Sequence, residues 1–373
     1  MNGTPFVNGT PFVNGTPFVN GTPINMYGSP GWGGRMPVAW AGPEPTRRPD
    51  SALKARRRPV VAILDTGVGE HDWLPEDIVR TDASVFGIPI GLQDPSTNPE
   101  WTGCIDDPLV GMLDSDSGHG TFIAGLIRQR CPDADILALR VMPSDGAVAE
   151  SDLLHTLNLL ALRQIVAQAQ GDADNMIDVL TLSLGYYHES PEDLKYDPHL
   201  LVPLRILGET GVSVVVAAGN DCTARPMFPA AFTPYDGGYV AKSSRDCVPI
   251  VSVGALNPDG TIAMFSNGGE WVHSYRPGAA LVSTFPKTFN GATGPALRVH
   301  LPGEGWRATM DPDDFSGGFG TWSGTSFAAP LLAADIAQSL VDGGCGSLDS
   351  VDRTNSLKRG WKAVARHTKL ARP

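Results

Sequence analysis

No stretch of this chain approaches the run of roughly twenty apolar residues that a membrane span requires, and no basic-then-apolar leader is readable at its start. Neither membrane insertion nor export is therefore expected, and a cytoplasmic location follows. Cysteine is sparse: five in 373 residues, an odd number and far too few for a disulfide scaffold. A reducing compartment fits that usage. Cys222 and Cys247 flank one loop between core strands, where a bridge would close about 25 residues, but the reduced state is the expectation. Basic residues are also short, 28 Lys and Arg against 40 Asp and Glu, for a formal net charge of −12. That balance argues against a nucleic-acid partner and for solubility. Charged residues make up 18% and hydrophobic ones 42%, so a sizeable core is within reach.

Composition divides the chain into three. Residues 2–23 repeat Asn-Gly-Thr-Pro-Phe-Val three times and then give Asn20-Gly21-Thr22-Pro23. With Gly and Pro in every repeat no helix can form, and one Phe-Val pair per repeat buries too little to hold a core. The Asn-Gly-Thr sequons are each followed by Pro, and glycosylation is not expected. Gly and Pro continue to residue 50, so residues 1–50 are expected to be disordered. Residues 51–345 read as one folded domain. Residues 346–373 form a polar, basic tail (Lys358, Arg359, Lys362, Arg366), expected to be a solvated helix.

Within the domain, short apolar runs alternate with helical patterns. Strands are expected at 60–64, 134–141, 179–184, 212–218, 248–255 and 280–283. Helices are expected at 120–129, at 151–170 with Ser151 as N-cap, around 200–207, and at 326–340. Fully apolar strands of this length suit a parallel sheet covered on both faces, so the expected class is α/β with helices on both sides.

Three glycine-rich turns carry the chemistry. Asp65 closes an apolar run in Ala62-Ile63-Leu64-Asp65-Thr66-Gly67. His119 lies in Asp116-Ser117-Gly118-His119-Gly120-Thr121, and Ser326 lies in Gly324-Thr325-Ser326-Phe327-Ala328-Ala329-Pro330. A serine hydroxyl needs a base to become a nucleophile, a histidine can be that base, and a carboxylate can fix its tautomer. Ser326 starts a helix, whose amides and dipole favour a developing anion. Gly118 and Gly120 let the chain turn and present the imidazole. Asp114 and Asp116 are rival acids, set aside because the Asp-Thr-Gly context belongs to Asp65. The chain order Asp, His, Ser is that of subtilisin, and together with Val216-Ala217-Ala218-Gly219-Asn220 these motifs resemble the subtilisin-like serine proteases over residues 58–342.

That resemblance implies a subtilisin-like fold with a mostly parallel central sheet, and a serine endopeptidase working through an acyl-enzyme. It implies Asp65, His119 and Ser326 as the triad and Asn220 as the oxyanion donor, with the backbone amide of Ser326. Ser183, Leu184 and Gly185 would pair with an extended peptide substrate, and Ala217, Ala218 and Gly219 would form another wall. Asp221 is a candidate rim acid favouring a basic residue, beside the plainer reading of a turn aspartate. No cofactor or metal ligand is assigned, structural calcium being beyond alignment, and the oligomeric state is open. The loop between Cys222 and Cys247, with Trp271-Val272 and Pro277-Gly278, is similar to mycosin-type members. Other classes consistent with the fold are a non-catalytic peptide-binding module, an esterase or transpeptidase, and a maturation protease with one partner substrate.

Overall fold

Along the strand Val60–Asp65, successive side chains enter two different cores. Val61 and Ile63 pack on one side, and Val60, Ala62 and Leu64 on the other, the period of two that a pleated strand imposes. The same division runs through Asp135–Arg140, Val179–Leu182 and Ser213–Ala217. The computed structural model describes residues 34–373, so the repeats expected to be disordered lie outside the described residues.

The central sheet has seven strands. In spatial order they are Ser274–Pro277, Val251–Leu256, Ser213–Ala217, Val179–Leu182, Val60–Asp65, Asp135–Arg140 and Val79–Arg80, and every neighbouring pair is parallel. Helices His119–Arg130 and Thr325–Val341 cover one face; Glu150–Gln170 and Asp197–Glu209 cover the other. The expected α/β class is therefore the observed one, subtilisin-like in having a parallel sheet between helical layers. Leu281–Thr284 leaves this sheet for a three-stranded antiparallel one with Phe319–Trp322 and Met36–Pro37.

Helix Glu150–Gln170 begins one residue before Ser151, which lies in its first turn instead of capping it. Ala149 is the N-cap, and Glu150 and Asp152 place negative charge at the positive end of the helix dipole.

The disorder expected up to residue 50 does not hold for residues 34–50. Arg35 is 2% exposed, donates to the carbonyls of Ser117 (2.5 Å) and Leu113 (3.4 Å), and lies over the Trp322 ring. Met36 pairs opposite Thr321. Arg47 bonds Asp135 and the Ala134 carbonyl, and Arg48 bonds Asp133, with distances of 2.6–2.7 Å. The segment is ordered by charged and main-chain partners, not by apolar mass, which is why its composition misleads.

The tail departs from expectation in the same direction. Helix Arg353–His367 exists, but Leu357, Trp361 and Val364, spaced i, i+4, i+7, are buried against the domain. Arg359 is 5% exposed and donates to the carbonyls of Ser347 and Ser350.

A chain beginning at Ser51 is expected to melt about 5 °C or more below one beginning at Gly34, since it loses the Arg35, Arg47 and Arg48 anchors. Equal melting temperatures by calorimetry would show that residues 34–50 contribute nothing to the fold.

Candidate active site

Asp65 ends the strand at which the sheet order changes direction, with Asp135–Arg140 on one side and Val179–Leu182 on the other. The crevice at such a point, beyond the C-terminal strand ends, is where open α/β sheets bind ligands. His119 is the first residue of its helix. Gly118 enters it with φ +89°, and a Cβ there would meet the Phe285 ring at 2.7 Å. Gly120 acts differently from the turn role expected of it: its φ is not positive, and a Cβ would lie 2.0 Å from the Gly67 carbonyl oxygen. Its bareness lets the helix close on the Asp65 loop.

That approach brings His119 Nδ1 to 2.7 Å from Asp65 Oδ1, both side chains essentially unexposed. Oδ1 also accepts from the Thr66 amide at 2.8 Å. Burial presses the His119 pKa down, but Asp65, Asp116 and Glu100 outweigh it and hold it above the usual 6.5. The rival acids bind elsewhere: Asp114 accepts from the Ile105 amide (2.6 Å), and Asp116 from the Ser115 hydroxyl (2.8 Å). Burial pushes Asp116 up to about 6.

Ser326 is the second residue of helix Thr325–Val341 and is 1% exposed. Its neighbour Phe327 packs against the His119 ring, centroids 5.1 Å apart, and Trp322 meets that ring edge-on at 5.4 Å. Ser326 Oγ and His119 Nε2 are both buried and neither makes a hydrogen bond; such bonds commonly tighten only in the substrate complex. Pro330 lies in the same helix four residues on. Having no N–H, it cannot bond the Ser326 carbonyl, and Ser183 Oγ donates to that carbonyl instead, at 2.8 Å.

Asn220 is 2% exposed, and its Oδ1 accepts both the amide (2.8 Å) and the hydroxyl (2.9 Å) of Thr325. With the oxygen held there, the amide NH2 is not the group that Thr325 engages. The Thr325 hydroxyl also accepts from the Gly219 amide at 3.0 Å. Thr325 was not singled out in the sequence, although its place beside the serine was the available signal. Glu100 and Arg35, also buried beside the Asp65 and His119 segments, lie in stretches with no motif.

Leu184 and Gly185 line an apolar cavity of about 400 Å³ with Leu153, Leu154, Tyr186 and Tyr196. A Cβ at Gly185 would fall 2.1 Å from Met227 Cε. Ala217 and Ala218 are buried in the two opposite cores, so what they can offer a ligand is backbone. Gly219 has φ +99°, and a Cβ would clash with Asn267 Nδ2 and Met227 Sδ at 2.4 Å. Asp221 is already engaged: the Tyr187 hydroxyl donates to it at 2.6 Å, and burial holds its pKa above the usual range. All five cysteines are free thiols, Cys222 and Cys247 included. Among the described residues no helix is long and apolar enough to cross a membrane, and no group of three His, Cys, Asp or Glu is placed to hold a metal.

The sequence pattern of the subtilase family matches residues 56–342. The chain is 25% identical to the minor extracellular protease Epr of Bacillus subtilis over 235 residues, covering 60% of this chain and 27% of that protein. It is 25% identical to an intracellular serine protease of Paenibacillus polymyxa over 292 residues (74% and 65%). It is 26% identical to subtilisin BL of Lederbergia lenta over 256 residues (65% and 73%). The first three curated relatives are spanned over 27%, 49% and 65% of their own lengths. Among solved structures, a lanthipeptide protease superposes with a TM-score of 0.50 at 20% identity, covering 76% of this chain and 73% of that one; the likeness establishes the fold.

Thr325→Val removes the hydroxyl that holds Asn220 and leaves the buried Gly219 amide without an acceptor. It is expected to destabilise the fold by about 1–3 kcal/mol, while Thr325→Ser stays near wild type. Equal denaturation midpoints for wild type and Thr325→Val would mean this relay holds nothing.

Proposed function

The chain belongs to the subtilase family, and on that footing we propose that it is a serine endopeptidase that cuts extended peptide segments through an acyl-enzyme. The observation that carries the reading is the 2.7 Å pair of Asp65 and His119, buried beside the helix start that bears Ser326. In this reading Ser326 Oγ attacks the scissile carbonyl while His119 Nε2 takes its proton. Asp65, bonded to the opposite nitrogen, holds the tautomer and stabilises the imidazolium as it forms. The oxyanion receives hydrogen bonds from the Asn220 amide and the Ser326 backbone N–H, donors that act on charge present only near the transition state. His119 then gives its proton to the leaving amine, and a water deacylates the serine by the same route. No cofactor enters these steps.

The substrate would lie as an added strand along Ser183, Leu184 and Gly185, with an apolar side chain in the cavity beside Leu184. A pure binding module is disfavoured because the acid, base, nucleophile and Asn220 positions are all intact, which binding does not require. The sparse, odd cysteine count supports a reducing, cytoplasmic setting, and the acidic net charge supports protein or peptide partners over nucleic acid.

A fluorophosphonate probe is expected to label the wild-type chain and leave Ser326→Ala unlabelled. Asn220→Ala should lower kcat by about 10²–10³ with little change in KM, a magnitude already known from subtilisin's own oxyanion asparagine. An unlabelled wild type, or equal labelling of Ser326→Ala, contradicts the reading. For the compartment, five thiols should alkylate in protein unfolded without reductant, and a mass showing only three would reveal a disulfide.

A further inference from the structure

Glu100 is fully buried yet belongs to neither core cluster. It sits in a one-turn helix, Pro99–Thr102, fixed by the Asn98 side chain capping the Glu100 amide at 3.1 Å and by a left-handed Gly103 at its end. Its carboxylate reaches both catalytic segments. Oε1 accepts the Thr66 hydroxyl at 2.5 Å and the Gly118 amide at 3.0 Å, and Oε2 accepts the Thr121 hydroxyl.

The two threonines are themselves cross-linked. Thr66, next to Asp65, accepts the Gly120 amide from the His119 helix at 2.9 Å. Thr121, in that helix, accepts the Gly69 amide from the Asp65 loop at 2.8 Å. Each hydroxyl thus takes an amide proton from the opposite segment and has its own proton left to donate. Both reach Glu100, the Thr66 hydroxyl having Asp65 Oδ1 as a longer second acceptor at 3.2 Å, so one carboxylate closes two reciprocal links between the loop that carries the acid and the helix that carries the base.

Resting on the serine-peptidase reading above, we propose that Glu100 is a positioning residue of the reaction, whose carboxylate clamps the Asp65 loop to the first turn of the His119 helix and keeps carboxylate and imidazole in line. Three donors converge on it, and their bonds favour the ionised form. Burial opposes ionisation and raises the Glu100 pKa to about 7, against the hydrogen bonds from Thr121 and Thr66. The charged groups that sense it are Asp65 on the strand, His119 on the helix and Arg35 from the N-terminal segment, with Asp116 beside the latter two. Its negative charge raises the His119 pKa, a second effect that a merely space-filling residue would lack.

The test is Glu100→Gln, which keeps the shape, removes the charge and places a donor opposite a donor. A fluorophosphonate reads the reactivity of Ser326 without a known substrate, and quenched-fluorescent casein gives kcat and KM. Labelling by Glu100→Gln is expected to slow about ten- to a hundredfold, the scale set by misplacing a catalytic group by an ångström. On casein the loss should fall in kcat, with KM within about twofold. The acid limb of the labelling-rate profile should also move to lower pH, because His119 loses a neighbouring negative charge. Thr121→Val, which breaks the clamp from the helix side and leaves the charge in place, should slow labelling too, and it decides the matter if Glu100→Gln does not fold. Wild-type rates with an unmoved acid limb in folded Glu100→Gln, or wild-type rates in Thr121→Val, overturn the proposal. A wild-type chain that takes up no probe at all overturns the peptidase reading instead, and the two failures are thereby told apart.

Discussion

Nothing larger than hydrogen fits at position 120. A Cβ there would stand 2.0 Å from the carbonyl oxygen of Gly67, so the helix of His119 meets the Asp65 loop backbone to backbone. N–H···O bonds hold donor and acceptor within about 2.7–3.2 Å, and any side chain at 120 would move the helix by more than that range allows. The far side of the same helix is held as tightly. A Cβ at Gly125 would lie 2.1 Å from Thr284 Oγ1, and the Ser283 and Thr284 hydroxyls donate to the Phe122 and Thr121 carbonyls at 2.7 and 2.8 Å. The helix is therefore gripped between the central sheet's Asp loop and the antiparallel strand Leu281–Thr284. The imidazole–carboxylate distance is a consequence of that grip.

Such close packing gathers charge away from water. Asp65, Glu100 and Asp116 contribute negative charge, and Arg35 and His119 answer it. Burial lowers the Arg35 pKa to about 10, which still leaves it cationic at neutral pH. Its guanidinium has two carbonyls to bond and acidic neighbours to face, the conditions under which a buried charge is tolerated. Removing one member of such a set leaves the others uncompensated. The site therefore depends on residues 34–37, which lie outside any catalytic motif.

This explains which parts of the molecule were legible in the sequence. Strands such as Val60–Asp65 and Ser213–Ala217 declared themselves because a parallel strand buried on both faces is an unbroken apolar run. Asp65, His119, Asn220 and Ser326 stand out as candidates because each carries its own glycine-rich turn, so the local pattern is the signal. Glu100 was invisible: Asn98-Pro99-Glu100-Trp101 has no period, and its partners lie 34 and 21 residues away in sequence. Residues 34–50 were misjudged because the composition argument weighs apolar burial and overlooks arginines that dock on carboxylates and carbonyls. Asp221 reads in the sequence as a rim acid or an exposed turn aspartate because no sequence rule brings Tyr187 to it. The tail's apolar stripe was legible at i, i+4, i+7, but its count of basic residues obscured it.

One principle links the two halves of the site. His119 is tied to Asp65 through a glycine that removes a side chain, and Ser326 is tied to the 183–185 segment through a proline that removes an amide. Because Pro330 cannot bond the Ser326 carbonyl, that acceptor is free for Ser183 Oγ. Ser183 directly precedes Leu184 and Gly185, the segment beside the apolar cavity. Thr325, on the other side of the nucleophile, is spent on Asn220 and Gly219. The first turn of this helix thus fixes Ser326, Asn220 and the 183–185 segment relative to one another. An ordinary helix start would have closed its own hydrogen bond at Ser326, and Ser183 Oγ would have had to share that carbonyl. In the family reading, the geometry needed between a bound peptide and the attacking oxygen is set by bonds the helix does not make with itself.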